Sequence, residues 1–196
     1  MLARRDAGYS LVEVMVAAAL IVIAAAATIP FAHATIDRSR TAGAARYLAN
    51  RLGSARFEAV KRSANVAIQF VKQGDQYRFG TYVDGNGNGV LSRDIARGVD
   101  KLISPLERLD QQFPGVMFGT WPGVAPIEPG DRTNGEDPIQ IGASTLLSFS
   151  PNGSATAGTL YVRGVRWNQF AVRVLGVSGR TRVLHYDFPD RRWRTS

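Results

Sequence analysis

From Val14 to Ala32 the chain carries no charged side chain, and His33 is the only titratable group before Asp37. A helix rises about 1.5 Å per residue, so Val14–Ile36 would cover about 30–35 Å, enough to cross a bilayer core of about 30 Å. A short basic leader, Met1–Ala7, reaches Gly8 ahead of this run. Glu13 stands at the head of the run, where a carboxylate is costly in lipid unless it is paired or near the interface. An ordinary signal peptide places a polar cleavage region after its apolar core. Here the apparent cut site, Gly8, comes before it, so the apolar helix stays on the mature chain.

The stretch Gly8-Tyr9-Ser10-Leu11-Val12-Glu13 resembles the class III signal of type IV pilins and type II secretion pseudopilins. The resemblance implies cleavage after Gly8 by a prepilin peptidase and N-methylation of the new first residue, Tyr9, where the family more often has Phe. It makes Glu13 the fifth mature residue, the position of the family's glutamate. There it would pair with the α-amino group of a neighbouring subunit. Pro30 falls at mature residue 22, where pilins commonly carry a proline. It would weaken the helix locally by removing one N–H and crowding the preceding turn. The competing reading is a plain single-span anchor.

The chain has 196 residues. With about 50 in a helix, roughly 130–140 remain, enough for one globular domain. Cysteine is absent, so neither a disulfide nor thiolate chemistry is available. The formal charge is +8 and the pI about 10.4. Such a balance attracts polyanions and anionic lipid without bearing on the fold.

Residues 37–63 read as the amphipathic second half of the same helix. Ala44, Leu48, Leu52, Ala55 and Ala59 recur at three- and four-residue steps, with Tyr47 and Val60 beside them, while most of the basic residues fall elsewhere. The whole helix, Tyr9 to Ser63, would be roughly 80 Å long. After Ser63 the pattern changes to strands: Asn65–Lys72, Gln76–Val83, Lys101–Leu109, Val116–Trp121, Thr145–Ser150, Thr159–Val165, Gln169–Val174 and Arg182–Asp187. Val124–Pro138, rich in proline, glycine and charge, reads as an exposed, mobile insertion.

In the second half, Phe149-Ser150-Pro151-Asn152-Gly153, Gly158-Thr159-Leu160 and Gly179-Arg180-Thr181-Arg182 resemble the F-x-P-x-G, G-T-L and G-R-x-R segments of the GspH/FimT family of minor pseudopilins and minor pilins. Val83–Gly89 resembles its D-x-N-x-N-G segment. The implied fold is α+β and type IV pilin-like. Its parts are a leader at 1–8, a transmembrane and assembly helix at 9–36, the amphipathic half at 37–63 and a mostly antiparallel β head at 64–196. The implied shape is a lollipop.

Two candidate sites follow. Asp84, Asn86 and Asn88 place side-chain oxygens at alternate positions before Gly89, the first half of a calcium loop. The twelfth position is Ile95 instead of a bidentate glutamate, so a Gly/Asn hairpin loop is the preferred reading and calcium the alternative. The second site is basic. Val162–Ser196 holds eight arginines, among them Arg163, Arg166, Arg173, Arg180 and Arg182, against Asp187 and Asp190. Trp167, Tyr186 and Trp193 lie among them, and arginines interleaved with aromatics suit DNA. In the FimT branch the G-R-x-R turn is associated with DNA uptake, which the resemblance carries to Arg180 and Arg182. The competing reading is a solvated basic face or a contact with neighbouring pseudopilins.

No catalytic constellation is visible. His33 and His185 have no metal-ligand partner at useful spacing, and no lysine-bearing phosphate loop occurs. The sequence therefore reads as a non-enzyme without cofactor: a structural subunit of a type II secretion pseudopilus, or alternatively a DNA-capturing minor type IV pilin. Its partners by resemblance are the prepilin peptidase, other pilins or pseudopilins in a filament and an inner-membrane assembly platform, with lipid around the helix. Arg4 and Arg5 would keep the N-terminus cytoplasmic and put the head in the periplasm.

Overall fold

The structure is a computed structural model. It describes residues 9–128, 130, 137–142 and 144–196, with the backbone alone for 27–32. It forms two compact units, Met1–Ile36 and Asp37–Ser196.

Helix α1 (Leu11–Arg62) begins in the first unit. Ser10 precedes it, and its Oγ accepts the Glu13 N–H at 3.4 Å. Leu11, Val12, Met15, Leu20, Ile21, Val22 and Ile23 are all more than half exposed. Among the described residues no helix is long and apolar enough to cross a membrane. The span expected at 9–36 includes residues 27–32, whose side chains, that of Pro30 among them, lie outside those described.

In the second unit α1 buries the expected stripe. Ala44, Leu48, Leu52, Ala55 and Ala59 are each at most 2% exposed. Their spacing keeps them on one face, and the alanines let the backbone approach the sheets. Val60 departs from expectation and lies half exposed.

The first sheet opens with a hairpin, β1 (Val66–Gln73) and β2 (Gln76–Val83), in register from Val66↔Val83 to Gln73↔Gln76. Gly74 supplies the positive φ that its two-residue turn needs. Helix α2 (Ser92–Ala96), β3 (Lys101–Leu102), β4 (Glu107–Arg108) and helix α3 (Leu109–Gln112) follow. The single strand expected at Lys101–Leu109 is therefore two short pieces, both paired with β2. Pro105 has no N–H to give, and the Ser104 hydroxyl accepts the Thr81 N–H. Only Met117–Phe118 of the expected Val116–Trp121 strand pairs, as β5. Then come β6 (Ile139–Gln140), β7 (Leu146–Phe149), β8 (Gly158–Arg163), β9 (Gln169–Val174), β10 (Thr181–Asp187) and β11 (Arg192–Thr195).

Among the described residues the strands make two sheets. One has the order β3-β2-β1-β7 with β4 on β2; the other has β11-β10-β9-β8-β5 with β6 on β8. All pairings are antiparallel. The helix stripe and both sheets share one core, in which Phe70, Phe79 and Phe118 meet at tilted and edge-on angles.

Candidate assembly segment and basic face

At the start of α1, Tyr9 is 83% exposed and Glu13 lies in the first turn. Ser10 and Glu13 have the S-x-x-E spacing of a capping box, and the Ser10 half of that exchange is made. The Glu13 carboxylate has no ion-pair partner among the described residues. Gly8 lies outside them.

Asp37, the first residue of the second unit, has a role that sequence reading did not assign. It is 9% exposed. Its Oδ1 accepts the Val165 N–H at 2.9 Å, and its Oδ2 accepts the Arg166 N–H at 3.0 Å and the Asn168 side-chain amide at 2.5 Å. The β8–β9 turn thus closes over a carboxylate on α1. A Cβ at Gly164 would lie 2.7 Å from both Asp37 carboxylate oxygens, so that glycine is a condition of the approach. At the opposite end of β9, the turn 175–180 reaches Arg56 of α1. Arg56 Nε donates to the Gly153 carbonyl, and a Cβ on Gly179 would sit 2.3 Å from the same oxygen. The F-x-P-x-G and G-R-x-R segments therefore touch each other through their glycines.

These two turns separate the five arginines. Arg163 and Arg166 lie at the Asp37 end of the sheet; Arg173, Arg180 and Arg182 lie toward the Arg56 end. Arg163 is held over the Trp121 ring, 4.8 Å from its centroid. Arg173 pairs with Glu128. Arg180 and Arg182 are exposed and carry no ion pair among the described residues. The aromatics expected to interleave with them do not. Tyr186 is 1% exposed, its ring packed on Trp193, and Trp167 belongs to the Asp37 end.

What covers Tyr186 and Trp193 is the start of the expected insertion. Val124 is buried. Trp193 Nε1 donates to the Ala125 carbonyl at 2.8 Å, the Tyr186 hydroxyl accepts the Ala125 N–H, and the Tyr161 hydroxyl accepts the Ile127 N–H. Residues 124–128 are thus pinned to the outer face of the sheet, contrary to the mobile insertion expected; 129 and 131–136 lie outside the described residues. Beside them Gln169, fully buried, accepts the Trp121 N–H and reaches the carbonyls of Gly119, Val162 and Phe170 at 3.1–3.2 Å.

The Asp84 loop closes on protein donors. Asp84 accepts from the N–H groups of Asn86, Gly87 and Gly89 and from the Asn65 amide. Burial pushes its carboxyl up, but these bonds outweigh burial and hold it below the usual carboxylate range. Asn86 Oδ1 accepts the Asn88 N–H, and the Asn88 amide donates to buried Asp94. Asp100 accepts from Gly85 and Leu91. Among the described residues no group of three or more His, Cys, Asp or Glu is placed to hold a metal ion.

An apolar helix headed by a capped turn and a glutamate in that turn, together with an antiparallel β unit built on a helix stripe, defines a pilin-like subunit, and residues 3–29 match the prokaryotic N-terminal methylation motif. Residues 44–181 match the family described as type II transport protein GspH, and the chain belongs to that family. The family consists of structural subunits, not enzymes. Among solved structures, the minor pseudopilin EpsH from the Type 2 Secretion System of Vibrio cholerae is similar at 14% identity, with 74% of this chain and 97% of that chain covered and a TM-score of 0.47. No curated protein matches the chain.

Proposed function

We propose that the chain is a minor pseudopilin of a type II secretion system. It is held in the inner membrane by its apolar run, loses its leader after Gly8, and is then drawn from the membrane into a periplasmic pseudopilus. The observation that carries this reading is the first unit itself, in which large apolar side chains lie exposed along α1 behind a glutamate with no ion-pair partner among the described residues. Lipid first and neighbouring helices afterwards would cover that surface. Tyr9, methylated, would offer its amino group to Glu13 of the next subunit, fixing axial register. Glu13→Ala should be cleaved normally but enter filaments poorly, as read by peptidase processing and by co-purification with the other pseudopilins. Normal incorporation would remove Glu13 from the mechanism.

A second reading, a minor type IV pilin that captures DNA, is favoured by Arg180 and Arg182, exposed and without ion pairs among the described residues. Arginines that neutralise phosphates make affinity fall steeply with salt. In that case Arg180→Ala with Arg182→Ala abolishes salt-dependent binding of duplex DNA in a titration. Unchanged binding would exclude these two residues.

A further inference from the structure

The turn that closes over Asp37 carries side chains its own geometry does not call for. Gly164 N–H donates to the Asn168 carbonyl at 2.9 Å, leaving three residues, Val165, Arg166 and Trp167, at the tip. The last of the three takes φ +50°, a left-handed conformation that favours glycine or asparagine. An indole stands there instead, 59% exposed, with Val165 61% exposed and Arg166 also in solvent. Trp167 is supported from beneath by Trp121, stacked at 4.8 Å, and from the side by Phe188. It is therefore a positioned aromatic.

Its position along the chain gives it a partner. Val165 and Arg166 are bonded through their N–H groups to Asp37, so the turn stays within a few ångströms of that residue whatever direction α1 takes before it. Asp37 comes one residue after Ile36, where the apolar run ends. A bilayer has about 5–8 Å of headgroup region beyond each side of its core, so a residue at that point lies in the headgroup layer. Tryptophan and arginine are suited to that layer, the indole by its amphipathic ring and the guanidinium by its fit to phosphate. Arg38 and Arg40, both exposed, add positive charge in the same band, while the Asp37 carboxylate is covered by its three donors.

We infer that Val165-Arg166-Trp167 is a membrane-interface contact: before assembly the second unit rests on the phospholipid headgroup layer through this turn, with Trp167 at the acyl boundary and Arg166 on lipid phosphate. The inference rests on the membrane-held reading above.

The test is tryptophan quenching in the full chain, reconstituted in vesicles of phosphatidylethanolamine and phosphatidylglycerol with bromine near the top of the acyl chains. Wild type should be quenched, Trp167→Phe should lose most of the quenching, and Trp193→Phe should keep it. Trp167→Asn, a residue at home at positive φ, keeps the turn foldable and should lose the quenching equally, with the circular dichroism of both variants unchanged. A chain that floats with the vesicles but is quenched equally with and without Trp167 overturns this inference alone. A chain that fails to float overturns the membrane-held reading, and this inference with it.

Discussion

The sheet formed by β8, β9 and β10 has two covered faces, and they are covered by different means. On the inner face Leu160, Val162, Phe170, Val172 and Val174 meet the Ala and Leu stripe of α1. On the outer face Tyr161, Gln169 and Tyr186, with Trp193 beside them, meet the irregular segment 119–128. A helix arrives with its backbone groups already paired, so hydrocarbon suffices against it. A loop arrives with unpaired N–H and C=O groups, and burying them is costly unless side chains pair with them. Tyrosine, tryptophan and glutamine supply an apolar body with one polar end, and each of these four uses that end on the loop backbone.

The largest effect should come from the inner face. Leu52→Ala leaves a cavity beside the sheet and should cost about 2–5 kcal/mol of unfolding free energy in a denaturant titration. Gln169→Leu comes next. It keeps bulk but strips partners from the Trp121 N–H and from carbonyls of Gly119, Val162 and Phe170, and should cost about 1–3 kcal/mol. If it were silent, the polar account of the outer face would fail, because hydrocarbon alone would then hold the loop. Tyr186→Phe should cost only about 0.5–1.5 kcal/mol, with faster hydrogen exchange at Ala125 and no change along α1. An effect spread equally over both faces would show that they are not independently built.

The smallest effect is a pH slope. His185 packs its ring on Phe170, 4.9 Å between centroids. Burial first, and then the charge of Arg38, hold its imidazole below the ordinary value, with Arg194 adding to this and Asp187 opposing it. The unfolded chain therefore takes up this proton first as pH falls below about 6.5. The contribution is complete above that value and drains away as pH falls toward the folded-state pKa. His185→Gln should flatten that part of the stability profile, measured as denaturation midpoints from pH 7.5 to 5.

The sequence made the inner face legible and the outer face illegible, for the same reason. Ala44, Leu48, Leu52, Ala55 and Ala59 announce their face by spacing, and β2 and β9 have the bounds that alternation and turn residues suggest. Residues 124–128 read as loop, which they are, but composition does not reveal that hydroxyls at Tyr161 and Tyr186 will accept their N–H groups. Asp37 looked like the first charge after an apolar run; its donors come from a turn 128–131 positions later. The arginines misled in the opposite way. Neighbours in sequence, they are parted by the length of β9, since two successive hairpin turns lie at opposite ends of the strand between them. Strands β6 and β11 and helices α2 and α3 escaped because two to five residues, or a run as charged as Arg192–Thr195, show no clear period.

The contact between Gly153 and Gly179 bears on how a signature such as G-R-x-R can be interpreted. A string match counts its letters together, yet here they answer to unrelated demands. The glycine is required because a carbonyl and the Arg56 side chain leave no room for a methyl group, while the arginines that follow project into solvent. A subunit that handles no nucleic acid would need that glycine as much as one that does. Discrimination between such subunits rests on the side chains flanking the contact, and on what charge they meet.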